Sequence, residues 1–62
     1  MSIMQLDESG PVYLDPRDIV AMLHHKGQTV MWTVYLKHGA QVVVSDNDGG
    51  RILEKFIELN AD

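Results

Sequence analysis

The chain has no cysteine among its 62 residues, so disulfides and thiolate metal sites are both excluded. A reducing cytoplasm suits that composition. Basic charge is scarce too: five lysines and arginines stand against nine aspartates and glutamates, a net charge of -4. Nucleic-acid binding rests on neutralising phosphates, and no basic stripe is present, so DNA and RNA are not expected partners. Long apolar runs are missing as well. The longest, of four or five residues, fall far below the ~20 that span a bilayer, so membrane insertion is not expected. The opening "MSIMQLDESG" lacks the basic start and apolar stretch of a signal peptide, and the expected location is the cytoplasm. With no internal repeat, low-complexity tract or linker, residues 1–62 are expected to form a single domain.

What is present is an apolar content of 45%, which suits a globular chain. A core this small leaves little margin over an ordering entropy of about 1.5 kcal/mol per residue, so self-association is expected. The clearest local signal is "VMWTVYL". Val30, Trp32, Val34 and Leu36 alternate with Met31, Thr33, Tyr35 and Lys37, the period of a strand. "AQVVVS" follows as a second strand. A three-residue loop, Lys37-His38-Gly39 with Gly39 left-handed, pairs Leu36 with Ala40, Val34 with Val42 and Trp32 with Val44. A two-residue loop would scramble the faces.

Upstream, "DPRDIVAMLHHKG" admits two readings. Asp15 as N-cap, Pro16, Asp18 and a closing Gly27 suggest a short helix. The preferred reading is a strand, Ile19 to His25, turning at Lys26-Gly27 and pairing Leu23 with Val30, Ala21 with Trp32 and Ile19 with Val34. That arrangement sets a small alanine against the tryptophan, with Trp32 in the core. "MQLDESGPVYLDP" reads as two short strands around an Asp-Glu-Ser-Gly turn, with Pro11 near an edge. The C-terminal segment is helical: Ile52, Leu53, Phe56 and Leu59 form a stripe, and Asp46, Asn47 and Asp48 are candidate N-caps. The expected fold is α+β, a small antiparallel β-meander of four to five strands with one C-terminal α-helix packed on one face.

Candidate chemistry is thin. In this layout His24 and His25 lie at one end of a strand and His38 at the other, too far apart to share a metal ion, so no metal site is expected. "SDNDGGR" does not follow the ligand spacing of a calcium loop. As a phosphate cradle, Gly49-Gly50 with Arg51 would be opposed by Asp46 and Asp48, and the pattern reads better as an acidic, capped helix start. Ser2, Ser9 and Ser45 have no neighbouring base in sequence. No catalytic residue and no cofactor are expected, and the chain reads as a non-enzyme.

The second face of the sheet is more informative. Val20, Met22, Met31, Tyr35 and Val43 are expected to point away from the helix, more apolar than a solvated sheet face usually is. Methionine and tyrosine suit adaptable contact surfaces. These five are the candidate protein-binding residues.

Leu6, Gly10, Pro11, Val12, Leu14, Asp15, Pro16 and Ile19, then Thr29, Val34, Leu36, Gly39, Val43 and Val44, give the chain its wider pattern. Across nearly its full length it resembles the short flagellar FlbD/SwrD-like family and its uncharacterised relatives. That resemblance implies a short strand opening, a hairpin and a terminal helix, with no catalytic residue to carry over. The expected function is a small accessory or regulatory protein that binds another protein, as a homo-oligomer. The alternative is a phage- or mobile-element-encoded inhibitor that blocks a host enzyme or defence complex. A third option is a small-ligand site at a subunit interface using His24, Tyr35 or Arg51.

Overall fold

The computed structural model describes residues 3–6 and 12–61. β1 (Met4–Leu6) and β2 (Val12–Leu14) pair antiparallel, with Met4 opposite Leu14. The expected Asp-Glu-Ser-Gly turn and Pro11 lie outside the described residues. β3 (Ile19–His25), β4 (Met31–Leu36) and β5 (Gln41–Ser45) form a second antiparallel sheet in that order, and α1 (Asp46–Asn60) follows directly. The α+β architecture expected from the sequence is therefore the one observed, with its five strands divided between two sheets.

Both readings of the segment after Asp15 capture part of it. The Asp15 carboxylate does accept from the Arg17 amide at 2.9 Å, and Pro16 opens a helical turn. That turn is a single 3-10 turn, Pro16–Asp18, because the β-branched Ile19 and Val20 continue as strand.

The hairpin between β4 and β5 has the expected register, with Val34 opposite Val42 and Trp32 opposite Val44. Leu36 N–H donates to the Ala40 carbonyl at 2.8 Å across the loop Lys37–Gly39. Gly39 is left-handed at φ 79°, and so is His38 at φ 66°, a conformation that costs a residue with a Cβ about 1 kcal/mol.

The register of β3 differs from the expected one. Leu23 faces Thr33 rather than Val30, Ala21 faces Tyr35 rather than Trp32, and Ile19 faces Leu36 rather than Val34. Two causes combine. The connection spans Lys26 to Val30 instead of a tight Lys26-Gly27 turn, and a β-bulge falls between Ile19 and Ala21. A shift by an odd number of residues exchanges the faces. Ile19 keeps its place in the core, but beyond the bulge Met22 turns inward and Leu23 outward.

The core lies between the three-stranded sheet, the β1–β2 hairpin and the helix. Leu6, Leu14, Ile19, Val34, Val44 and Ile52 are buried, with Met22, Trp32, Val42 and Phe56 packed around them. Burying each such aliphatic side chain stabilises by roughly 1.5–3 kcal/mol. Helix α1 is capped by Ser45, whose hydroxyl accepts from the Asp48 amide at 3.2 Å, and not by Asp46, Asn47 or Asp48. Those residues instead occupy the first turn, where Asp46 and Asp48 favour the helix dipole. Ile52, Leu53 and Phe56 are wholly or partly buried, whereas Leu59 at the end of the predicted stripe is 44% exposed.

Candidate functional site

Hairpin and helix both pack on the face of the sheet that carries Trp32, Val34, Val42 and Val44. The other face is built by Ala21, Leu23 and His25 of β3, by Met31, Thr33 and Tyr35 of β4, and by Gln41, Val43 and Ser45 of β5. Its middle row runs Leu23, Thr33, Val43 across the three strands. Adjacent strands are ~4.8 Å apart, so these side chains touch. Leu23 is 47% and Val43 56% exposed, while Met31 and Tyr35 on the flanking rows are half-buried. Val20, 58% exposed, sits in the bulge at the end of β3.

Of the five candidate binding residues, Met31, Tyr35 and Val43 lie on this face and Val20 is exposed at its end. Met22 does not belong to it. It pairs with Val34 on the inner face and packs against the core, because the bulge reverses the alternation beyond Ile19. Leu23 takes its place on the outer face. "IVAML" is apolar at every position, so it carries no alternation from which the phase could be read.

One polar contact interrupts the face. The Thr33 hydroxyl lies 2.7 Å from His25 Nε2, which satisfies a side chain that its neighbours have nearly buried. A hydroxyl beside an imidazole is the spacing of a nucleophile and its base. No local pattern points to it, because the two residues meet diagonally across strands. Here the pair lies on an open sheet, and Thr33 is covered rather than presented.

The remaining histidines serve structure or stand apart. The His24 ring stacks on Trp32 with centroids 4.2 Å apart and planes 11° from parallel. Asp46 Oδ1 accepts from Trp32 Nε1 at 3.0 Å and lies 3.3 Å from His24 Nε2, a contact that becomes an ion pair when His24 is protonated. The indole thus ties the end of β3 to the start of α1. Gly49 makes room for it: a Cβ at that position would fall on the Trp32 ring. Gly49 is therefore a packing residue and not part of a phosphate cradle. His38 lies in the loop at the far end of β4 from His24 and His25, the separation expected from the sequence. Among the described residues no group of three or more His, Cys, Asp or Glu could hold a metal ion.

Asp48 is fully buried, and Arg51 reaches it at 3.5 Å while donating to the Gln5 carbonyl at 3.4 Å. The start of the helix is thereby fastened to β1. His24, Tyr35 and Arg51, the alternative candidates for a small-ligand site at a subunit interface, lie apart within one chain: His24 is on the inner face, Tyr35 on the outer face, and Arg51 is on the helix. No helix among the described residues is long and apolar enough to cross a membrane. In comparisons with known proteins, no family model, no curated protein and no solved structure matches this chain.

Proposed function

We propose that this protein is a non-enzymatic accessory or regulatory protein that binds another protein through the outer face of β3, β4 and β5, and does so as a homo-oligomer in the cytoplasm. The observation that carries this reading is the pair Leu23 and Val43 on either side of Thr33, both exposed among the described residues while the β1–β2 hairpin and the helix pack on the opposite face. Met31 and Tyr35 extend it above and below with adaptable, amphipathic contact area. An apolar surface of this kind on a small chain is characteristically an interface. The resemblance to the FlbD/SwrD-like family, which supplies no catalytic residue, favours binding over catalysis. A chain without cysteine also suits a reducing compartment.

The test compares immobilised wild type with Tyr35→Glu, Leu23→Glu and, as a control on the exposed side of α1, Glu54→Lys, each shown by circular dichroism to be folded. Proteins captured by the wild type and by the control are expected to be lost from both outer-face variants. Identical capture by all four would show the outer face to be idle.

A further inference from the structure

We infer that two copies of this chain pair antiparallel through the edge of β5 that faces away from β4, joining their three-stranded sheets into one continuous sheet across a two-fold axis at Val43. The inference rests on the homo-oligomer reading and adds to it the surface, the register and the partner, a second copy.

The hydrogen-bond pattern shows which groups are available. Leu36 N–H donates to the Ala40 carbonyl, and antiparallel bonding alternates from there along the pairs Val34–Val42 and Trp32–Val44. The N–H and C=O groups of Gln41 and Val43 therefore point away from β4. Among the described residues β5 pairs with β4 alone. An exposed edge of this kind is a template for another strand, and natural sheets guard such edges with bulges, proline or charge. The opposite edge, β3, has its bulge between Ile19 and Ala21 and a proline turn just before it. β5 has no such guard: Gln-Val-Val-Val-Ser contains no charge, proline or glycine, in a chain whose net charge is -4.

A second copy fits this edge for reasons of symmetry and charge. Two-fold antiparallel pairing places Val43 opposite the other Val43, where each N–H can meet the other's carbonyl, and Gln41 opposite Ser45. No like charges are opposed anywhere along the strand. The same operation brings the exposed Lys37 and His38 loop of one copy beside the exposed Asp46 and Asn47 of the other. It also sets the two outer faces side by side, with both exposed Val43 side chains at the junction, so the partner-binding surface doubles.

Amide exchange on the wild-type chain followed by NMR reads this directly. The Val43 amide is expected to exchange quickly in dilute solution and to become at least tenfold slower as concentration rises, in step with dimer formation by light scattering. Methylating the Val43 amide nitrogen by chemical synthesis keeps the side chain and leaves the β4 ladder intact, because that N–H points outward. This variant is expected to keep the wild-type circular dichroism and to be monomeric, whereas Tyr35→Glu is expected to remain dimeric while losing captured partners. Three results would overturn the inference: a wild type still monomeric at about 1 mM, where an association of only ~4 kcal/mol would be visible; a dimer with a fast-exchanging Val43 amide; or a folded, methylated chain that still dimerises. A monomeric wild type would overturn the homo-oligomer reading as well, whereas the other two results overturn the β5 pairing alone, and none of the three bears on the capture test of the outer face. Should the methylated chain not fold, the exchange measurement alone decides.

Discussion

At the residue scale, adjacent glycines in α1 have opposite roles. Alanine at either position would favour the helix by about 1 kcal/mol on propensity alone. Gly50 has nothing near its missing Cβ, while at Gly49 the indole of Trp32 already occupies the space. Gly50→Ala is therefore expected to stabilise by ~0.5–1 kcal/mol in urea unfolding. Gly49→Ala is expected to destabilise by about 1–3 kcal/mol, with a change in tryptophan fluorescence as the ring is displaced. Equal effects at the two positions would remove the indole from its assigned place. Asp15 gives a second prediction at this scale. Side-chain hydrogen bonds from Arg17 at 3.2 and 3.0 Å, joined by its backbone amide, hold the Asp15 carboxyl below the usual carboxylate range. A folded-state value below the unfolded one gives a contribution that is complete above the unfolded value and lost as pH falls through the folded one. Arg17→Gln is expected to raise the Asp15 midpoint in an NMR titration; an unchanged midpoint would contradict the fork geometry.

At the element scale, two hairpins with similar sequence signals differ in how much of their geometry can be read from the chain. The loop Lys37–Gly39 could be placed because alternation on both sides agrees with only one loop length and Gly39 supplies a left-handed residue. For β3, five consecutive apolar residues carry no phase, and a bulge depends on contacts that no local pattern encodes. The misplacement of Met22 and Leu23 in the candidate site follows from that single ambiguity. The cap is legible in part: Ser45 followed three residues later by Asp48 is a helix-start pattern, obscured by Asp46 and Asn47 between them, which are themselves capping types. The register is expected to show as cross-strand NOEs between Leu23 and Thr33 and between Met22 and Val34; NOEs between Leu23 and Val30 would restore the alternative pairing. The left-handed His38 is expected to be improved by His38→Asn, which raises the melting temperature by a few degrees, corresponding to up to ~1 kcal/mol in a small domain. A lower melting temperature would mean that the imidazole has a role the backbone geometry does not account for.

At the scale of the whole molecule, a small core and an uncovered apolar face belong to one argument. Among the described residues only six hydrophobic side chains are buried, near the minimum on which a chain of this length can fold. The β1–β2 hairpin and the helix both pack on one side of the sheet, and among the described residues no element packs on the other. Association would remove Leu23, Val43 and their neighbours from water and stabilise the fold by mass action. The most direct measurement is carbene footprinting read by mass spectrometry, comparing dilute purified protein with the same protein in extract of the cells that produce it. The predicted result is that Leu23, Met31, Tyr35 and Val43 lose labelling in the extract while the exposed Ile57 and Leu59 of α1 keep theirs. Unchanged labelling of the sheet face, or protection confined to the helix, would contradict the account.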